Sequence, residues 1–142
     1  MRATEVQFDI KAIQTSWQKF DTMAHLRPIR DEKSYARMTV LMNSLLEVTG
    51  DDEDPPLSSL LDLVSDMVAK YEQEHYAIEP AEPKDALRFL MEARGMKQED
   101  LSAVVPQSNL SAILAGKRKI SATLAGKLGK FFGVSAALFV PH

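Results

Sequence analysis

Between Pro83 and the C-terminus, Gly95, Pro106, Gly116 and Gly133 interrupt the chain so often that no long helix fits. Proline removes a backbone donor and glycine favours helix ends, so each acts as a stop. The segments between these stops carry apolar residues at steps of three and four rather than two, which is helical spacing. Pro83 suits a first helical position and is followed by Leu87, Leu90 and Met91. Gln98 to Val104 reads as a short amphipathic helix, and Ser108 to Ala115 as another. Ser121 can cap a helix carrying Leu124, Leu128, Phe131 and Phe132, and Ser135 a final turn with Leu138 and Phe139. Five short helices in about sixty residues, with no strand pattern, predict a small all-α body.

The first half has longer helical patterns. Asp9 to about Ala24 repeats Ile13, Trp17, Phe20 and Ala24, and Arg27-Pro28 breaks it. Asp31 or Ser34 can cap a second helix with Tyr35, Met38, Leu41, Met42, Leu45 and Leu46 on one face. After the turn Gly50–Pro56, Leu57 to about His75 places Leu60, Leu61, Val64, Met67, Val68 and Tyr71 inward. Ile78-Glu79-Pro80-Ala81-Glu82-Pro83 reads as an extended linker. The expected organisation is therefore a helical domain over 1–80 and a second domain over 81–142.

Charge divides at the same place. Residues 1–80 hold 8 Lys/Arg against 15 Asp/Glu, a net of −7; residues 81–142 hold 9 against 5, a net of +4. No acid follows Asp100, while Lys117, Arg118, Lys119, Lys127 and Lys130 do. The basic end suits a phosphate backbone. The acidic turn 51–54 reads as a soluble loop, or as a steering element if the partner is basic.

Within the basic end, Leu101 and Val104 give one short helix an inward face, and Leu110, Ile113 and Leu114 give one to the next. The outward residues at the start of the second are polar and small: Gln107, Ser108, Asn109, Ser111 and Ala112. That is the requirement for a helix-turn-helix whose second helix enters the major groove. Gln and Asn can pair with adenine edges, and Ser can donate or accept. Lys117-Arg118-Lys119 then stands where the chain leaves the groove, placed for phosphates. Against this stand plainer readings, in which the lysine run is a solvated turn and the polar residues only cap a helix. The apolar Val134, Leu138, Phe139 and Val140 either close their own domain or meet a second copy, which a palindromic operator would require.

The ordered set Gln98–Leu101, Leu110-Ser111, Gly116–Arg118 and Phe132-Gly133-Val134-Ser135-Ala136-Ala137-Leu138-Phe139 resembles the Xre/Cro-type family. The turn between Leu101 and Leu110 is about two residues shorter than that family's common form, with Val105-Pro106 where glycine is usual. This leaves the start of the recognition helix open. The resemblance implies a lambda-repressor-like domain and a phosphate contact from Gln98. Leu26–Tyr35, Ser59–Val64 and Tyr71–Ile78 extend the resemblance to HigA-type antitoxins. That implies an N-terminal domain contacting a small basic toxin of the RelE superfamily, a ribosome-dependent mRNA endonuclease. It also implies a homodimer that represses the shared operon through double-stranded DNA.

Other classes lack support. The chain has no cysteine, and its three histidines are not at ligand spacing, so neither disulfide nor metal site is expected. No phosphate loop or nucleophile–base pair stands out, so no catalytic residue, enzyme activity or cofactor is expected. There is no signal-like or membrane-spanning apolar run, and a cytoplasmic location without membrane contact is the expectation. The rival readings are a solitary repressor without a toxin partner and a helical adaptor that does not bind DNA.

Overall fold

The computed structural model describes residues 5–51, 56–76 and 81–140, all of them helical or in connecting turns. The helices are α1 (Ile10–Ala24), α2 (Glu32–Thr49), α3 (Ser58–His75), α4 (Pro83–Ala93), α5 (Gln107–Leu114) and α6 (Ala122–Phe132). Two single-turn 3-10 helices, Gln98–Leu101 and Ala136–Phe139, complete the C-terminal half. An all-α chain ending in five short helical elements matches the expectation from sequence.

Local chemistry fixes most helix ends. Asp31 caps α2, accepting from the Ser34 amide at 2.8 Å, while the Ser34 hydroxyl reaches back to the Asp31 amide. Ser121 caps α6 by accepting from the Leu124 amide. Pro83 opens α4. The N-terminus of α6 has a second acceptor from far along the chain. The Asp51 carboxylate takes the amides of Ala122 and Thr123 at 3.0 and 3.2 Å, an anion on the positive end of a helix dipole.

The most extensive packing between elements joins the two halves, with α2 lying along α6. Gly126 and Gly129 on α6 allow the close approach. A Cβ on Gly126 would stand 2.6 Å from the Asn43 carbonyl oxygen and the Glu47 nitrogen. Beside this contact, the buried Asn43 amide donates to the Val134 carbonyl at 2.8 Å and accepts from the Ala136 amide at 2.9 Å. Lys130 pairs with Glu47 across the same seam at 2.8 Å. Apolar residues of both halves form one core, from Met38, Met42, Val64 and Val68 to Leu87, Leu110, Leu128 and Phe139. Side chains of this size are each worth about 1.5–3 kcal/mol when fully buried. The boundary at residue 80 thus divides the chain in sequence and in charge, while α2 is packed as part of the C-terminal body. The linker core, 77–80, lies outside the described residues, as do 52–55 of the acidic turn.

α1 is different. It buries no residue, and Ile10, Ile13 and Trp17 keep 67%, 49% and 44% of their surface exposed. This apolar stripe is left uncovered among the described residues. Asp21 and Arg27 form an ion pair at its end, and His25 closes it in the left-handed region at φ 47°.

Candidate nucleic-acid interface

The short turn that left the recognition helix uncertain is resolved by tight winding. Val105 precedes Pro106, which disfavours helical backbone there. The expected helix from Gln98 to Val104 is therefore only one 3-10 turn, followed by bends in which the Val104 and Val105 amides share the Leu101 carbonyl. α5 begins at Gln107, with Pro106 as its cap residue. Leu101, Leu110 and Ile113 are fully buried behind the pair.

α5 ends in a Schellman motif. The Gly116 amide bonds the Ile113 carbonyl, the Lys117 amide bonds the Ala112 carbonyl, and Gly116 sits at φ 78°. That left-handed residue turns the chain out, so Lys117, Arg118 and Lys119 are all exposed. Arg88 on α4 seals the helix end by donating to the Leu114 carbonyl at 2.7 Å.

The expected base readers separate into two groups. Gln107 and Ser108 are exposed and make no side-chain hydrogen bond among the described residues. Ser111 donates its hydroxyl to the Gln98 side-chain oxygen at 2.5 Å, tying the two helices together. Its hydroxyl proton is thereby engaged, while the Gln98 amide NH2 stays available to a phosphate. Asn109 is half-buried and accepts from Arg118 at 2.8 Å. Bidentate recognition of adenine by Asn109 would require that bond to open; as it stands, Arg118 holds Asn109 in place.

Two cations belong near this surface. Lys127 on α6 lines a shallow cavity of about 210 Å³ with Asn109, Arg118 and Lys119, and has no ion-pair partner among the described residues. Its position was legible only as one of the late basic residues. Lys84 on α4 lies against Gly116, its ammonium 3.1 Å from where a Cβ would stand. Thirty-odd residues separate the two in sequence, and no local signal joins them. Lys84 is also paired, its ammonium 3.5 Å from the Glu82 carboxylate, and Lys130 is neutralised by Glu47. Asp51 already occupies the amino end of α6, closing that helix terminus to phosphate.

Of the four apolar residues considered for a dimer face, Phe139 is completely buried in its own chain. Val134, Leu138 and Val140 are half-buried and packed against the same core. No group of His, Asp or Glu among the described residues has metal-binding geometry. No described helix is long and apolar enough to cross a membrane.

Comparison with known proteins agrees with this geometry. The family described as Helix-turn-helix (HTH_3) matches residues 87–139. The chain is 34% identical over 123 residues to Antitoxin HigA of Escherichia coli strain K12, covering 81% of this chain and 85% of that protein. Antitoxin HigA of E. coli O6:H1 and of Shigella flexneri match to the same extent. The chain belongs to the HigA antitoxin family and carries a helix-turn-helix DNA-binding domain at its C-terminal end.

Proposed function

We propose that this antitoxin neutralises a small basic mRNA endonuclease of the RelE superfamily and represses the operon encoding both proteins. Residues 81–142 bind operator DNA, with α5 in the major groove and Lys117, Arg118 and Lys119 on the phosphates. Gln107 and Ser108 reach base edges first. Gln98 and Lys127 extend the backbone contacts. The observation carrying this reading is the outward Schellman turn at Gly116, which leaves three exposed cations after α5 and brings Arg118 back to Asn109 in its first turn.

The acidic segment 1–80 takes the toxin. Its support is the uncovered stripe Ile10, Ile13 and Trp17 on α1, an apolar helix face with aromatic content of the kind that anchors protein interfaces. A second copy meets the surface of Val134, Leu138 and Val140, with the buried Phe139 as its support. Such a dimer would present two α5 helices to a palindromic site.

Two measurements test the reading. A gel shift on the DNA upstream of the gene should show a specific complex, against no preference over scrambled duplex if α5 does not read bases. Affinity purification should recover the product of the adjacent reading frame in stoichiometric amount. Its absence would leave a solitary repressor.

A further inference from the structure

A cleft of about 570 Å³ opens where α2 and the end of α3 face the segment after α6. Its polar end is built from Glu32, in the first turn of α2, and Glu72, near the end of α3. Tyr35 donates to Glu72 at 2.7 Å, and Tyr71 and Tyr76 both donate to Glu32. All three donors are neutral hydroxyls. The bond to Glu32 and burial push the Tyr76 phenol up to about 12, and burial together with Glu72 pushes Tyr35 up as well. No Lys, Arg or His stands within ion-pair distance of either carboxylate among the described residues. Lys130, at the rim, is occupied by Glu47. Glu32, which is exposed, and Glu72, which is half-buried, therefore lack a counter-cation among the described residues.

The remaining lining selects what could supply one. The rings of Tyr35 and Tyr76 are 5.6 Å apart and inclined at 43°, presenting aromatic surface beside the carboxylates. Thr39, only 9% exposed, lines the same cleft with its hydroxyl set against the Tyr35 phenol. Val134 and Leu138 add an apolar rim. A tyrosine–glutamate network whose only task was to fasten α2 to α3 would not need the open volume beside it. Each carboxylate has about four acceptor sites, so the tyrosine bonds leave several free. Carboxylates, aromatic faces and a short apolar wall are together complementary to a cation on an alkyl stem.

We infer that this cleft is a binding site for an alkyl guanidinium or alkyl ammonium group, held by Glu32 and Glu72 against the Tyr35 and Tyr76 rings. The group could be a free amine or a basic side chain of a bound protein, and the chemistry of recognition is the same. Val134 and Leu138 also belong to the proposed dimer face, so a second copy would extend the rim. The site does not depend on DNA binding, and it can stand or fall separately from the toxin assignment.

The chain contains only three tyrosines, of which Tyr35 and Tyr76 line the cleft. Ring-labelled tyrosine therefore gives a sparse NMR readout on the full-length protein. Titration with n-butylguanidinium should shift Tyr35 and Tyr76 saturably at millimolar concentrations. The isosteric neutral n-butylurea should bind roughly tenfold more weakly. Glu72→Gln, which keeps an acceptor for Tyr35, should weaken butylguanidinium by a similar factor, with thermal unfolding as the control for integrity. Repeating the titration on the complex with a co-purified partner separates the sources. Signals already shifted and insensitive to probe identify a partner side chain, and an unchanged response identifies a free amine. Dilution that unmasks probe binding identifies a second copy. Equal responses to butylguanidinium and butylurea, or no saturable shift in any of these states, would overturn the assignment.

Discussion

Replacing Gly126 by alanine sets helix propensity against packing, and the two predict opposite signs. In a helix interior, alanine is favoured over glycine by roughly 0.5–1 kcal/mol. In this structure, however, the added Cβ would meet Asn43 O and Glu47 N at 2.6 Å and Leu46 Cβ at 3.0 Å. Two of these are backbone atoms of α2, which cannot rotate away. The helices would have to separate by several tenths of an ångström along a seam that also holds Gly129 and the Asn43 hydrogen bonds. Overpacking of this kind costs about 1–3 kcal/mol, or more where backbone must move. The net expectation is destabilisation by about 1–2 kcal/mol, a fall in Tm of about 2–4 °C per kcal/mol for a chain of this size. Urea unfolding followed by far-UV circular dichroism measures it, with an unchanged slope showing that the same surface is exposed. Gly95→Ala is the comparison. Nothing lies within 4 Å of its Cβ, so its cost, about 1–2 kcal/mol, comes from the left-handed backbone at φ 61° alone. If Gly126→Ala were instead stabilised by the propensity gain, α2 and α6 could not be in this contact.

Other expectations follow from single residues. Asn43→Leu should orphan the Val134 carbonyl and the Ala136 amide, costing about 1–3 kcal/mol for each group left unpaired; a neutral effect in denaturant titration would contradict that pairing. Lys117→Ala should weaken binding to all duplexes alike and flatten the salt dependence by about one unit, whereas Ser108→Ala should change preference among sequences by roughly 1–3 kcal/mol if its base contact is direct. The tyrosine phenols are raised in the folded chain, chiefly by burial for Tyr35 and by Glu32 for Tyr76, so their contribution is complete below the unfolded value of about 10. It is lost as pH rises toward about 12, the value for Tyr76. Phenolate absorbance that titrated with all three groups near 10 in the native chain would refute the tyrosine–glutamate network. Asp31, lowered by its bonds to Ser34, works oppositely: its contribution is intact above the ordinary carboxylate range and lost as pH falls below about 4, and Asp31→Asn should remove that acid limb.

What the sequence revealed was what short range determines. Caps at Asp31 and Ser121, the Pro83 start and the glycine stops depend on neighbours within four residues, so their chemistry is written locally. The spacing of Leu101, Leu110 and Ile113 likewise placed the inward faces of the helix-turn-helix. The stripe on α1 shows where that logic ends, because periodicity reports an amphipathic face and not what covers it. The 3-10 winding at Gln98–Leu101 was missed because apolar spacing does not distinguish one tight turn from a longer helix, although Pro106 was the clue. Asn43, Asp51, Gly126 and Gly129 carried no readable signal, since each acquires its role from a segment some seventy to ninety residues away. The same holds at the interface, where Ser111 and Asn109 looked like free readers. Their bonds to Gln98 and Arg118 emerge only from the packed geometry.

The central proposal is that α5 and its basic turn meet operator DNA. Fluorescence anisotropy of a labelled duplex from the chain's own upstream region, titrated across salt, tests that contact in one experiment. Each phosphate neutralised contributes about −0.9 to the logarithmic slope, so Lys117, Arg118, Lys119 and Lys127 predict roughly −3 to −4 per chain, with clear preference for that duplex over a scrambled one. Binding that is insensitive to salt, or equal for both duplexes, would contradict it.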